Sequence, residues 1–433
     1  MTLPPNHPDR FVLSNEVHAR PPEELRAPVK LTYLALASDR SNREEEWQRL
    51  VEFAKEHDAR PPDPGISHYS EDFGPFRLKW ERHTEFSRYK FIAPENGEAP
   101  FEKPAIDAVP TSWVSSIPGE IMVACQVVVR PASAAVLEHD KIAADHFAGN
   151  TIIGAILSGG SAAGFTDFHI HDDGFSRILI EDRETTPRQM GRLVQRLLEI
   201  DTYRIMALLA LPVAQALTPR LDAGERELAE ITNALVLVKD EDEPVLLDRL
   251  TQLQAHIESD DAENQFRFSA SAAYYDLVKQ RITDLREERI QGLQTFQEFI
   301  ERRLAPAMST CSAVRARQEN LSRHMARATQ LLSTRVNIAN ERQNQGILES
   351  MNRRAQLQMR LQETVEGLSI AAITYYVVGL VNYLAKGAKA GGVSLNVELL
   401  TGLSIPIVII IVALGVRKVR KMVTKADGGA ATS

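Results

Sequence analysis

The pattern of apolar and polar positions divides the chain into an N-terminal part with mixed strand and helix signals and a C-terminal part that is mostly helical. Residues 43–57 have the apolar spacing of a helix, through Trp47, Leu50, Val51 and Ala54. Five other segments predict strands, because they are rich in β-branched residues or alternate between apolar and polar. They are residues 29–37, 77–92 (a hairpin of two strands), 121–129 (typical of a buried central strand), 165–170 and 177–181.

From Pro187 onward the spacing of apolar residues predicts long helices. Pro187 suits the first turn of a helix, with Thr185 or Thr186 as its cap. A second helical pattern covers residues 262–305 and ends at Pro306, which predicts a break or a kink in the chain. A heptad-like seam then follows, and a helix this long must pack on the preceding helices, on copies of itself, or on both. The seam consists of Leu321, Met325, Ala328, Leu332, Leu357, Leu361 and Val365.

Two uncharged apolar runs, residues 367–385 and 399–416, predict transmembrane helices. At about 1.5 Å per residue, each run reaches close to the roughly 30 Å of a bilayer core. The alternative is a pair of buried helices in a large soluble protein. Lysine and arginine are sparse between the runs and concentrated after the second, which predicts that both termini face the cytosol. The basic tail consists of Arg417, Lys418, Arg420 and Lys421.

Together these patterns predict an α/β N-terminal cytosolic domain, then long and mostly antiparallel helices, then a C-terminal two-helix transmembrane hairpin. The predicted α/β domain covers residues 1–186 and the helical region, with its long stalk helix, residues 187–365. The hairpin and the basic tail occupy residues 366–433.

Composition adds few constraints. The chain has 433 residues, of which 44% are hydrophobic and 25% charged, so most of it can fold with a sizeable core. The formal net charge of −8 argues against nucleic acid as a partner. Cys125 and Cys311 are far apart in the sequence, which predicts no disulfide framework and fits a reducing compartment.

Candidate metal ligands occur near the end of the α/β region. His169 and His171 are two positions apart in a predicted strand, which places them on one face, and Asp172 follows them. This spacing suits a shared metal ion, and the alternative is an exposed strand face that enters a turn. The acidic runs at residues 240–243 and 258–263 are interpreted as solvated loops or as ligands of a divalent cation. A divalent cation is therefore the one cofactor that the residues suggest.

No segment predicts an enzyme. The glycine-rich residues 154–164 lack the spacing of a phosphate-binding loop and predict a turn or a closely packed helix. Ser158 and Ser161 do not form the nucleophile elbow of a hydrolase. The polar residues Asn15, Glu16, His18 and Arg20 are interpreted as a clamp that docks the N-terminus, or as a ligand site.

Three sequence segments resemble a family of uncharacterised, membrane-anchored bacterial proteins, one of the domains of unknown function. They are NEVHARPP at residues 15–22, KWERHTEF at 79–86 and QLQMRLQETVEGLSIAAITYYVVGL at 356–380. The resemblance extends over almost the whole chain. It implies an anchor in the bacterial inner membrane and brings no known activity.

The order of the predicted elements also resembles that of the CorA-type magnesium channels, which are pentamers. Those channels carry a Gly-Met-Asn motif at the outer end of the first span. The matching place here reads Gly379-Leu380-Val381-Asn382-Tyr383, with one residue more between glycine and asparagine and without methionine. The resemblance implies a pore lined by Asn382, Thr374 and Ser369.

Two functions are compatible with these observations. The first is an oligomeric cation transport protein of CorA-like layout, in which Asn382 offers an amide oxygen to a hydrated ion at the outer mouth. The second is a membrane-tethered cytosolic interaction protein or scaffold, in which the hairpin is only an anchor. Both readings expect the lipid bilayer and further copies of the chain as partners, and neither expects nucleic acid.

Overall fold

The computed structural model describes residues 4, 6–11, 13–14, 22–38, 41–95, 97, 100–132, 138–237, 242–392 and 396–427, with side chains as far as residue 418. The polar residues 15–20 and the first two residues of the acidic run 240–243 therefore lie outside the described part. The chain divides into two units. One comprises Met1–Val238 and Val245–Thr329, and the other Lys239–Pro244 and Gln330–Ser433.

In the described part of the chain, nine strands form one mixed sheet in the order β2-β3-β4-β1-β5-β8-β7-β6-β9. Strands β5 and β8 pair in parallel, and the other neighbours pair antiparallel. The strands are β1 Val29–Ala37, β2 His68–Asp72, β3 Arg77–Arg82, β4 Phe86–Pro94, β5 Glu120–Pro131, β6 Ile153–Leu157, β7 Ala162–Thr166, β8 Ser176–Asp182 and β9 Glu288–Arg289.

The helices follow the predicted order in outline. They are α1 Arg43–Glu56, α2 Thr111–Val114, α3 His139–His146, α4 Pro187–Leu208, α5 Ala210–Leu237, α6 Glu243–Leu285, α7 Phe296–Ala390 and α8 Val397–Asp427, with a short 3₁₀ helix at Ala105–Ala108. The predicted fold class is confirmed: a mixed-sheet domain precedes long helices and a final pair of apolar helices. The three predicted domains, with boundaries after residues 186 and 365, stay a prediction.

Most strand predictions are confirmed. β1 covers residues 29–37, β3 and β4 form the predicted hairpin, and β5 lies at the centre of the sheet with Val129 fully buried. The prediction of a strand over residues 165–170 is wrong, because β7 ends at Thr166. Asp167 accepts a hydrogen bond from the backbone N–H of His169 at 3.1 Å, and Phe168 has a φ of 52°. This turn geometry ends the strand.

The glycine-rich residues 154–164 form the β6–β7 hairpin. Gly159 and Gly160 have φ values of 65° and 96° in the connection, a backbone conformation that glycine adopts without steric cost. The turn prediction is therefore correct, and the alternative of a closely packed helix is wrong. Strand pairing between residues 153–157 and 162–166 accounts for the apolar residues on both sides of the turn.

The start of α4 confirms the predicted cap. The Thr186 hydroxyl accepts from the Gln189 backbone N–H, and the Gln189 side chain accepts from the Thr186 N–H, so both groups are satisfied in a capping box. Pro187 occupies the first helical position, where its missing N–H costs nothing.

The predicted helix over residues 262–305 is confirmed at both ends, but the helix is interrupted between Leu285 and Phe296. Helix α6 ends at Leu285, where Arg286 adopts a φ of 48°, and α7 begins at Phe296. The Glu287 carboxylate accepts hydrogen bonds from the backbone N–H groups of Phe296 and Gln297 at 3.0 and 2.9 Å, so a distant acid caps the new helix. Pro306, the predicted break, lies inside α7. The acidic residues 258–263, predicted to be loops, lie inside α6.

Both faces of the sheet are covered. On one face Trp80, Tyr89 and Phe91 pack with Leu50 and Phe53 of α1. The opposite face meets α4, whose apolar residues are buried. They are Met190, Leu193, Val194, Leu197 and Leu198.

The predicted seam of α7 has two different environments. Leu321 and Met325 are buried in the first unit, whereas Leu357, Leu361 and Val365 are 57%, 67% and 58% exposed. Every residue from 340 to 365 is exposed, although the helix is continuous. This exposed stretch, residues 340–365, is called the stalk below.

Candidate functional site

Two helices in the second unit are long and apolar enough to cross a membrane. The first lies in the C-terminal part of α7, with a mean hydropathy of 1.6, and the second covers residues 397–418 of α8, with a mean hydropathy of 2.7. Few of their side chains are buried, unlike those of a core helix in a soluble protein. Exposed apolar residues such as Leu380, Leu384 and Ile411 give both helices a surface suited to lipid.

The three predicted pore-lining residues have partners within the chain. Ser369 Oγ donates to the Val365 carbonyl at 2.8 Å, and Thr374 Oγ1 donates to the Ile370 carbonyl at 2.7 Å. Thr374 is 8% exposed. The amide oxygen of Asn382 lies 3.5 Å from Thr401 Oγ1 on α8, at the outer limit of a hydrogen bond. Asn382 and Thr374 thus lie near the second apolar helix, since both line one groove with Thr401.

The basic tail continues α8 beyond the apolar run. Arg417 and Lys418 are exposed. Arg420 and Lys421 lie on the same helix, beyond the last described side chain.

The predicted metal ligands are not arranged on one strand face, because β7 ends before them. His169 and Asp172 are exposed, whereas the His171 side chain is buried with its Nε2 atom 3.0 Å from Asp167 Oδ2. Asn150 donates a further hydrogen bond of 2.8 Å to the same carboxylate. Among the described residues, no group of three or more His, Cys, Asp or Glu could hold a metal ion.

The most unusual feature of the first unit was not predicted. Strands β3 and β4 alternate aromatic and charged residues, and the sheet buries both sets. The register places Arg77, Lys79 and Glu81 of β3 on the same face as Arg88 and Lys90 of β4, opposite the face of Trp80 and Tyr89. On the charged face, Lys79, Glu81, Arg88 and Lys90 are 4%, 1%, 3% and 5% exposed.

Acidic residues from β3 and α4 neutralise much of this charge. Glu81 forms ion pairs with Lys79 at 3.4 Å, with Lys90 at 4.0 Å and with Arg88. Glu199 of α4 pairs with Arg88 at 3.4 Å and with Arg281 of α6. A buried ion pair stabilises little by itself, but removing one partner leaves a buried charge without compensation. The Glu81–Glu199 network therefore fixes α4 and α6 in position on the sheet.

The pKa values in this network reflect an excess of positive charge. Burial raises the pKa of Glu81, but the charges of Arg88, Lys90 and Lys79 outweigh burial and lower it to about 2. Burial and then the charge of Arg88 lower the pKa of Lys90 to about 7. Three buried cations on β3 and β4 share one carboxylate on those strands, which favours the neutral form of Lys90.

A short segment, residues 22–26, crosses between the sheet edge and α4 and is called the strap. The Leu25 N–H donates to the Pro187 carbonyl at 3.0 Å, and Leu25 is 4% exposed. A Cβ atom on Gly191 would lie 1.6 Å from the Glu23 carbonyl oxygen, so only glycine permits this approach. The Glu23 carboxylate in turn contacts Arg77 at 3.0 Å and Lys79 at 3.4 Å.

The strap borders an open cleft of about 1220 Å³, called the basic cleft below. Its other walls come from the edge strand β2, from β3, from the start of α4 and from residues 60–66. The sequence contained one signal for this site: the alternating charges of β3 and β4. Alternation normally indicates an exposed strand face, and for that reason the site was missed.

A comparison with protein-family models matches residues 5–423 to the family described as Protein of unknown function (DUF3422). The predicted resemblance to an uncharacterised family is therefore confirmed. The comparisons with curated proteins and with solved structures gave no match.

Proposed function

Because this chain belongs to the family described as Protein of unknown function (DUF3422), we propose its function from the geometry of its own residues. We propose a membrane-tethered cytosolic interaction protein. In this proposal the apolar end of α7 and the apolar part of α8 anchor the chain in the cell membrane. The mixed-sheet domain then works in the cytosol as the binding part.

The partners of the polar residues in the first apolar helix support an anchor. A cation pore needs polar groups that face water along one side of the span. Ser369 and Thr374 instead bond their own helix backbone, and Asn382 lies next to Thr401 of α8. Within a bilayer such partners satisfy polar groups without a water-filled lumen.

The distribution of basic residues supports an orientation with both termini in the cytosol. Lys386 and Lys389 are the basic residues between the apolar runs, whereas Arg417, Lys418, Arg420 and Lys421 follow the second run. Positive charge close to a span favours the cytosolic side. A reporter enzyme that works only in the cytosol is expected to be active when fused after Ser433, and a reporter that works only outside the membrane is expected to be inactive there.

The exposed stalk supports association between copies of the chain. Most of the stability of a protein helix comes from packing of its apolar side chains, and in the stalk such side chains are left largely uncovered, with Leu357 57% and Leu361 67% exposed. The stalk continues into the first apolar helix without a break. A second copy in the same membrane presents the same stalk at the same height, which makes self-association the simplest way to cover these residues.

Transport and anchoring predict different results for purified protein in liposomes. As an anchor, the full chain is expected to conduct no magnesium, cobalt or potassium above empty liposomes. Cation flux that Asn382→Leu abolishes, with Asn382→Gln intermediate, would replace the anchor with the CorA-like transport reading. For the anchor itself, a chain that ends at residue 365 is expected in the soluble fraction after a high-salt wash, whereas the full chain stays with membranes.

A further inference from the structure

The basic cleft is large enough to hold a small-molecule ligand and belongs entirely to the first unit. Its volume of about 1220 Å³ is larger than that of most small-molecule pockets, which hold roughly 300–1,000 Å³. Cationic side chains approach it from the strap, the edge of the sheet and the first turns of α4. They are Arg26, Arg60, Arg77, Lys79, Arg188 and Arg192.

Three acidic side chains of the cleft are already engaged with some of these cations. Their distances of 2.8–3.4 Å are those of direct ion pairs, so these cations are neutralised in place. The pairs are Glu23 with Arg77 and Lys79, Glu24 with Arg188, and Asp63 with Arg60.

Arg26 and Arg192 are in a different situation. Both are exposed, and neither has a carboxylate within 4.0 Å among the described residues. The remaining acid of the cleft, Glu71, lies opposite Leu78 in the strand register, on the side of the sheet that faces away from Lys79. The cleft therefore keeps two guanidinium groups that an added anion can bind.

The floor of the cleft is a buried ion pair. The Lys79 side chain lines the cleft although it is 4% exposed, and its ammonium group lies 3.4 Å from both Glu23 and Glu81, so it is already paired. The cations also act on Glu24: a hydrogen bond from Arg188, then its charge and those of Arg26 and Arg77, lower the pKa of that carboxyl.

We propose that the basic cleft binds the phosphoryl group of a phosphate ester, held by the guanidinium groups of Arg26 and Arg192. A guanidinium group offers paired N–H donors that match phosphate oxygens. Two such groups match the charge of a phosphoryl dianion better than that of a ligand with a single carboxylate. Pro61, Pro62 and Ile66 line the same cleft and provide an apolar wall for the remainder of the ligand.

This inference rests on the proposed function because it names the ligand class of the tethered domain. The two can fail separately. Anchoring is tested by membrane fractionation, whereas phosphoryl binding is tested by calorimetry and does not depend on the apolar helices.

The test is isothermal titration calorimetry of the full chain in detergent, with inorganic pyrophosphate as the probe at low ionic strength. Wild-type protein is expected to bind at one site per chain. Arg26→Gln and Arg192→Gln are each expected to weaken binding about tenfold, since each removes a charged hydrogen-bond donor. The matched control is Arg303→Gln, because Arg303 is also exposed but lies outside the cleft lining.

Competition experiments identify the source of the phosphoryl group. Glycerol phosphate and the water-soluble dihexanoyl phosphatidate each compete with pyrophosphate in the same assay. If glycerol phosphate competes as well as the phosphatidate, the ligand is a soluble phosphate ester. If the phosphatidate competes much more strongly, the ligand is a phospholipid head group.

Two results would overturn the inference. One is absence of pyrophosphate binding to wild-type protein whose melting temperature shows that it is folded. The other is equal binding by wild type, Arg26→Gln, Arg192→Gln and Arg303→Gln, which would show that the anion interacts with basic residues in general.

Discussion

Gly191→Ala is the sharpest test of how the strap is held on α4. Gly191 lies inside this helix, where alanine is normally the better residue. Here the added Cβ would lie 1.6 Å from the Glu23 carbonyl oxygen, and real Cβ atoms essentially never come within 3.0 Å of another heavy atom. The obstacle is backbone, so the strap must move by more than an ångström.

The expected cost follows from the contacts that the strap loses. The Leu25–Pro187 hydrogen bond contributes about 0.5–1.5 kcal/mol, and burial of the Leu25 side chain about 1.5–3 kcal/mol. Alanine regains about 1 kcal/mol of helix propensity. We therefore expect Gly191→Ala to lower the free energy of unfolding by about 1–3.5 kcal/mol.

Tryptophan fluorescence during thermal unfolding measures this change, since Trp47, Trp80 and Trp113 all lie in the mixed-sheet domain. At about 2–4 °C per kcal/mol, the midpoint should fall by roughly 2–14 °C. The control is Gly346→Ala, at an exposed helical position with no atom within 4 Å of the added Cβ. This control should leave the tryptophan transition unchanged.

An unchanged midpoint for Gly191→Ala would refute the reasoning. It would mean that the strap does not lie on α4 and that Glu23 does not hold Lys79 and Arg77 in the way described. The basic cleft would then lose one of its walls, and its ligand chemistry would have to be derived again.

Three further predictions concern the same domain. Glu199→Gln removes the carboxylate that Arg88 and Arg281 share, although Arg88 keeps Glu81 and Arg281 keeps Asp284, and should cost about 1.5–3 kcal/mol in urea unfolding, so an unchanged urea midpoint would contradict the buried network. Because the pKa of Lys90 is about 7 when folded and 10.5 ordinarily, the unfolded chain binds more protons between these pH values. Stability should therefore rise with pH across this window, and Lys90→Met should flatten the rise in melting temperature. Parallel curves of melting temperature against pH for wild type and Lys90→Met would contradict this assignment. Thr186→Ala should lower the unfolding free energy by about 1 kcal/mol through loss of the capping box, and urea unfolding should detect it.

Local chemistry along the chain determined most of the secondary structure. Strand β1 matches the predicted residues 29–37, and Thr186 caps α4, because strand periodicity and capping act over a few neighbouring residues. The two long apolar runs also follow from composition alone. The start of α7 was missed although Thr295 and Glu298 form a local capping box there, with Glu287 as a further cap, and Pro306 became helix interior instead of a break.

Only the tertiary structure decided the basic cleft and the charge network behind it. The alternation in β3 and β4 is the same whether one face meets water or another element, so it could not show that Lys79, Glu81, Arg88 and Lys90 are buried.

The groups that bury and pair these charges come from far along the chain. They are the strap, α4 with Glu199 and α6 with Arg281. Likewise, composition places Asn382 in an apolar helix, but the packing of α8 decides that Thr401 is its neighbour. Sequence periodicity records which side of an element is polar, whereas packing between distant segments determines what that side contacts, and hence its pKa values and its ligand chemistry.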